Sequence, residues 1–212
     1  NIQHADFICI GEPEYPIRHF VQALERGEAP ETQAGIWANH DGAITRNPVL
    51  LFEDQIDRFP YPDFAKDNKW VILDDEILNA PFPPQSHLHT NLILRVSRSC
   101  PVTCPYCQTV HDGLEHAGFN EERLRSPDNV IDEIKYRLAT WPTPIERIEF
   151  HDDFFPMDRD WVAHFHHRYS TEIALPFFGF TKPYDFDPQV LLWLRDSRMQ
   201  GLIMRIANAP EK

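Results

Sequence analysis

Apolar and polar positions change period several times along this chain, and each change marks an element. Ala5-Asp6-Phe7-Ile8-Cys9-Ile10 is a short apolar run that predicts a strand, closed by Gly11-Glu12-Pro13-Glu14. From about Pro16, the residues Ile17, Phe20, Val21 and Leu24 recur at helical spacing, and Gly27 ends the helix. Alternating stretches at 35–39 and 43–46 flank His40-Asp41-Gly42, whose Asp-Gly pair predicts a hairpin turn with positive φ. Between 54 and 86 the periodicity disappears and prolines accumulate (Pro60, Pro62, Pro81, Pro83, Pro84). That stretch predicts a linker with one short helix near Phe64.

Beyond it the pattern is regular. Strands are predicted at 92–96, 147–150, 173–180 and 202–206, separated by stretches long enough for one crossover helix each. Ser126-Pro127-Asp128 places a cap before a proline and aligns Val130, Ile131, Ile134 and Leu138 on one face. Asp187-Pro188 does the same ahead of Val190, Leu191 and Leu194. The expected fold class is α/β: a last strand–helix unit of an open α/β domain, a linker, and half of a parallel (βα) barrel. Chemistry in such a barrel gathers at the carboxyl ends of the strands.

One of those ends carries Cys100-Pro101-Val102-Thr103-Cys104-Pro105-Tyr106-Cys107, a CxxxCxxC spacing. Three thiolates on one loop hold three irons of a cubane cluster and leave the fourth iron open. A zinc knuckle is the competing reading, with His111 or His116 as fourth ligand. Cys9, far upstream in an apolar run, reads as a buried inert thiol. Four cysteines in 212 residues, with no secretory signal ahead of them, do not make a disulfide framework. A net charge of −13 argues against a general nucleic-acid surface, and no run approaches the roughly 18 apolar residues of a membrane span. The chain reads as cytoplasmic. It does not begin with Met and stops just after a strand-like stretch, so it reads as an internal piece of a longer protein.

The second predicted barrel strand runs into His151-Asp152-Asp153-Phe154-Phe155. Asp152 and Asp153 are either turn residues capping the next helix or acceptors for a ligand amine. Gly11 and Glu12 are either a tight turn with a solvated carboxylate or a place for close backbone approach to a ligand. His164, His166 and His167 share no single helix face and read as surface residues, while Phe177, Phe178 and Phe180 read mostly as core. Lys182 and Tyr184 stand just past the third strand, toward the expected active mouth.

The cysteine spacing, with Tyr106 just before the third cysteine, resembles the radical S-adenosylmethionine (SAM) superfamily. Four further features resemble, in order, its branch with an amino-terminal cobalamin-binding domain: Gly11-Glu12-Pro13-Glu14, Phe59-Pro60-Tyr61-Pro62-Asp63, Leu124-Arg125-Ser126-Pro127-Asp128-Asn129-Val130, and Phe150-His151-Asp152-Asp153-Phe154-Phe155. The resemblance implies the tail of a Rossmann-like cobalamin-binding-type domain with its hairpin over 1–53, a Pro-rich linker over 54–86, and the first half of a radical SAM partial barrel over 87–212. It also implies a four-iron four-sulfur cluster on Cys100, Cys104 and Cys107, and SAM near Tyr106, Asp152, Asp153 and Asn208. Cobalamin would lie near Gly11 and Glu12. Two departures stand out. Pro13 replaces a glycine of the family's turn, and Ile206-Ala207-Asn208-Ala209 replaces a strand end where relatives carry Glu, leaving Asn208 as the substitute.

The implied activity is cleavage of SAM to start radical methylation, cyclisation or rearrangement of a small-molecule substrate. Electrons would come from a donor such as flavodoxin or ferredoxin. Substrate-reading and catalytic residues beyond the cofactor set are not named by these motifs, and the 212 residues alone are expected to be inactive. Two alternatives remain: a non-catalytic zinc or iron–sulfur module, and a radical SAM methylthiotransferase. The latter family adds cluster cysteines upstream of its barrel, where this chain has only Cys9.

Overall fold

The computed structural model describes residues 4–64, 69–80, 82–83, 86–100, 107, 122–181 and 186–204. The chain divides into two compact units, Asn1–Asp54 with Ser99–Glu121, and Gln55–Arg98 with Glu122–Lys212.

In the first unit, β1 (Phe7–Cys9) leads into α1 (Glu14–Glu25), and the hairpin β2 (Ile36–His40) and β3 (Ala43–Arg46) returns against β1. The three strands form one antiparallel sheet in the order β1-β2-β3, with Phe7 opposite Ala38 and His40 opposite Ala43. Asp41 and Gly42 both take positive φ (52° and 90°), as the two-residue turn demands, and the Asn39 side chain accepts the Gly42 N–H at 2.9 Å. The helix forms where its periodicity predicts, two residues earlier than expected. Its stripe, however, is not the buried one: Ala23 and Pro16 are buried, whereas Ile17, Val21 and Leu24 are exposed. Period determines that residues share a face, not that a neighbour covers it.

In the second unit, the proline-rich stretch is built rather than bare. A 3-10 turn at Ile56–Arg58 is followed by a hairpin of β4 (Trp70–Leu73) and β5 (Glu76–Asn79), turning on Asp74 and Asp75 at φ 47° and 66°. Phe64 lies in irregular backbone, and residues 65–68 of the expected short helix are outside the described residues. The stretch docks on a helix by its aromatic side chains: Tyr61 meets Tyr136 (5.9 Å between rings), and Phe64 and Phe82 meet Trp141 (5.3 and 5.6 Å).

That helix belongs to a succession of strand–helix units. After β6 (Asn91–Leu94), a short ladder joins β7 (Ser97–Arg98) to β8 (Arg123–Leu124). Then follow α2 (Pro127–Thr140), β9 (Arg147–Phe150), α3 (Arg159–Glu172), β10 (Phe177–Thr181), α4 (Pro188–Asp196) and β11 (Met199–Met204). β6, β9, β10 and β11 make one parallel sheet in chain order. Each of α2, α3 and α4 opens on a side-chain cap: Ser126 accepts the Asn129 N–H (3.2 Å), Asp158 that of Trp161 (2.8 Å), and Asp187 that of Gln189 (2.8 Å). Such caps contribute about 1 kcal/mol each.

The core lies between the helices and one face of the sheet. Leu92, Leu94, Ile148, Phe150 and Phe177 meet Val130, Ile131, Ile134, Trp161, Val162, Phe165, Tyr169, Val190 and Leu194. Phe150 sits among Phe155, Phe165 and Phe177 at ring distances of 5.2–5.9 Å. Fully burying one such ring contributes about 1.5–3 kcal/mol.

Two strands depart from expectation. β10 starts at Phe177 rather than 173, because α3 continues to Glu172, Ile173 caps it and Ala174 turns with φ 51°. Ile173 and Leu175 pack on the core from this turn, so an apolar run that reads as strand is a helix end. β11 starts at Met199, three residues early. Its Gly201 lies against Phe178, where a Cβ would approach the ring to 2.9 Å, so only glycine lets this edge pair closely.

Candidate functional site

The cysteine segment begins where β6 and β7 end. Ser99 takes φ 67°, and Cys100 follows at 2% exposure. Cys107 is half-buried, and Cys104, Tyr106, His111 and His116 lie outside the described residues. Among the described residues no three His, Cys, Asp or Glu side chains converge on a metal position. The donor chemistry fits an iron–sulfur cluster, because three thiols in eight residues are soft ligands with one iron left over. Cys9 behaves differently: burial, and then the charge of Glu14, push its thiol up, which makes it a poor nucleophile and a poor ligand.

Asp152 sits at the end of β9 and is 1% exposed. Its Oδ1 accepts the backbone N–H groups of Val96 (2.9 Å) and Ser97 (2.7 Å) and the Ser97 hydroxyl (2.7 Å). These residues immediately precede the cysteine segment in the chain, so Asp152 pins the backbone from which that segment departs. Its Oδ2 is buried and has no partner among the described residues. Burial pushes the carboxyl up, and the bonds from Ser97 and Val96 only partly oppose this.

A second acid, Glu122, feels the charge of Asp152. Asp153 is half-buried, whereas Glu122 is pushed up to about 7 by burial and then by the charge of Asp152. Glu122 Oε1 is likewise buried without a partner. The Asp152 charge thus disfavours ionisation of Glu122, on top of its burial. Sequence reasoning missed Glu122 because nothing in its spacing marks it. The short β7–β8 ladder, with Ser97 opposite Leu124 and Arg98 opposite Arg123, brings its segment to the end of β6.

A third arrangement occupies the sheet face turned away from the helices. Asn91 Nδ2 donates to Glu149 Oε1 at 2.8 Å, and Glu149 Oε2 lies 3.0 Å from His151 Nε2. The His151 ring stands edge-on to Phe180, 5.2 Å between centres. The alternation 147, 149, 151 along β9 is the signal that puts these side chains on one face. Phe178 and Phe180 share it and are half-buried, so only Phe177 of the three phenylalanines lies in the core.

The remaining candidates are placed as follows. Gly11 has φ 84°, and a Cβ there would come within 3.1 Å of Val49 Cγ1 and 3.3 Å of Phe52 Cε1. Local packing by itself requires glycine at this turn; Glu12 beside it is half-buried. Asn208, Lys182 and Tyr184 lie outside the described residues. Of the histidine trio, His164 lies 3.0 Å from Asp128, and His166 bonds Ser197 at 2.8 Å and stacks on Trp193, which ties α3 to its neighbours.

No family model matches the sequence, and no curated protein matches it. Solved structures do match. The radical S-adenosylmethionine methyltransferase TsrM from Kitasatospora setae, with tryptophan substrate and a SAM analogue bound, superposes with a TM-score of 0.64 at 14% identity. The same protein with cobalamin and a 4Fe–4S cluster bound gives 0.60 at 12% identity. Both alignments cover 94% of this chain and 37% of that one. The likeness is one of fold: the mixed α/β architecture, with its helix-flanked parallel sheet, is that of a stretch of a radical SAM methyltransferase little more than a third of that protein's length.

Proposed function

We propose that this chain is the cofactor-binding part of a radical SAM enzyme, with Cys100, Cys104 and Cys107 as ligands of a four-iron four-sulfur cluster. The observation that carries the reading is positional. The CxxxCxxC segment begins six residues past the end of β6, the first strand of a parallel sheet whose fold is that of a radical SAM methyltransferase. When bound, the cluster supplies single-electron chemistry that cleaves a carbon–sulfur bond of SAM. The chain's own residues then have definable work. Asp152 fixes Val96 and Ser97 and so the start of the ligand segment. On this reading Tyr106 would face the adenine, and Asp153 and Asn208 would accept from the amino end of SAM.

The finer reading divides the chain into a cobalamin-binding-type tail over 1–53 with Gly11 and Glu12 near the corrin, a connecting segment over 54–86, and a half barrel over 87–212. The reaction is methylation, cyclisation or rearrangement of a small molecule, fed by a flavodoxin- or ferredoxin-type donor. Such a cluster needs a reducing compartment, which the cytoplasm provides. No helix among the described residues is long and apolar enough to cross a membrane.

The test is anaerobic reconstitution with iron and sulfide, followed by EPR of the reduced protein with and without SAM. A cluster signal that SAM perturbs and that Cys104→Ala abolishes is the expected result. Stoichiometric zinc and no cluster, in folded protein, would overturn the reading and leave a structural metal module.

A further inference from the structure

The face of the parallel sheet turned away from the helices carries a polar relay for which none of the roles above has a use. Along β9 the odd positions 147, 149 and 151 point away from the core that Ile148 and Phe150 enter. On that face Asn91, 3% exposed, fixes one oxygen of Glu149, and the other oxygen faces the imidazole of His151. The Arg147 Nε lies 3.4 Å from Glu149 Oε1, on the side away from the ring. The edge contact with Phe180 sets the plane of the imidazole. A His–Glu contact made only for surface charge would not need its carboxylate anchored by a buried amide.

We propose that His151 is a substrate-contacting hydrogen-bond and proton acceptor on this face, for a small molecule with a planar apolar body and one O–H or N–H donor. The carboxylate at Nε2 selects the tautomer with its hydrogen on that nitrogen, which leaves the Nδ1 lone pair available. Nδ1 has no partner among the described residues, and the His151 side chain keeps 36% of its exposure. The apolar surface beside it is supplied by Ile93, Phe178 and Phe180, all half-buried. Proton transfer is simple to balance: the donor's O–H or N–H bond breaks, the proton goes to Nδ1, the electron pair stays on the substrate atom, and Glu149 offsets the imidazolium charge. Asn91 and Glu149 are positioning residues. What reaction follows rests on the proposed radical SAM reading; the binding itself does not.

Two probes of the same planar body separate the donor from the apolar contact: 2-naphthol, with an O–H, and 2-methoxynaphthalene, without one. The protein is titrated with each while the 15N signals of the His151 ring and the probe fluorescence are followed. The expected result is a His151 ring in the Nε2–H form, a shift of Nδ1 on adding 2-naphthol only, and about tenfold tighter binding of 2-naphthol. His151→Phe should erase that preference, and Glu149→Gln should weaken it and mix the tautomers. Equal affinity for the two probes, or an Nδ1 signal that 2-naphthol leaves unmoved, would overturn the proposal. The probe comparison uses the unaltered protein, so it stands even if a variant fails to fold. A preserved naphthol preference without any SAM-sensitive EPR signal sinks the radical SAM reading alone, and the reverse outcome sinks the role of His151 alone.

Discussion

Two buried acids in the same unit meet opposite fates. Glu133 on α2 is 1% exposed and lies between two guanidiniums, Arg125 Nη1 at 2.6 Å and Arg137. Arg137 in turn lies over the Phe64 ring at 4.2 Å, so the ion triad fastens the proline-rich stretch to the helix. Burial lowers Arg137 in spite of Glu133, a sign of how dry this clamp is. Asp152 is equally buried but has no ion pair among the described residues; it is held by backbone N–H groups, and its charge helps push Glu122 up. Depth of burial is the same in both places. A cation beside the acid makes Glu133 part of an ion clamp, whereas burial without one pushes the Asp152 carboxyl up.

Substitutions at three acids press on that contrast, beginning with the largest effect. Glu133→Gln leaves the buried Arg137 and the half-buried Arg125 guanidiniums without their shared counter-charge, and should cost about 3–5 kcal/mol in urea denaturation. A loss below 1 kcal/mol would mean that the triad is solvated and the contrast false.

Next, Asp152→Ala orphans two buried N–H groups and a hydroxyl, for an expected loss of about 2–4 kcal/mol. Asp152→Asn keeps the accepting oxygen and should cost less than about 1 kcal/mol. It also removes the charge beside Glu122, so that Glu122 should titrate lower when followed by 13C NMR. An Asn variant as damaged as the Ala variant would show that the charge itself, and not the acceptor, holds Val96 and Ser97.

The smallest effect is one of pH. Glu122 holds its proton up to about 7 in the folded chain, well above the ordinary glutamate value, so the folded state binds more protons than the unfolded state between the two. Stability from this group is therefore complete below the ordinary value and is lost as pH rises through about 7. Glu122→Gln should flatten that slope and raise Tm at pH 8 by about 2–4 °C, on the order of 1 kcal/mol once solvent screening is allowed for. Glu172, held down to about 2 by Arg168 and Lys135, acts with the opposite sign, but only in acid. An unchanged pH slope in Glu122→Gln would place the proton elsewhere.

Legibility varied with the distance over which each feature is decided. The cap at Ser126, the strand Arg147–Phe150 and the Asp41-Gly42 turn are written in a few consecutive residues and form where they were expected. The β4–β5 hairpin was hidden because its two-residue turn is Asp74-Asp75, with no glycine, inside a run dominated by prolines. Within the candidate site, the cysteine spacing was plain from the start, but the setting of Asp152 was not. Glu122, next to the β7–β8 ladder, feels the Asp152 charge, and no local pattern marks it.

By itself the sequence determined most of the strand–helix units, their order and the spacing of Cys100, Cys104 and Cys107, because period, caps and spacing are local and survive in any context. Tertiary structure alone decided which acid feels which charge, which carboxylate meets the His151 ring, and which apolar faces are covered. Ile17, Val21 and Leu24 keep a helical stripe that stays exposed, while Phe178 leaves the core for the opposite face of its strand. The physical reason is that charge compensation and burial are properties of pairs brought together across strands, and a one-dimensional pattern carries only the half of each pair that it contains.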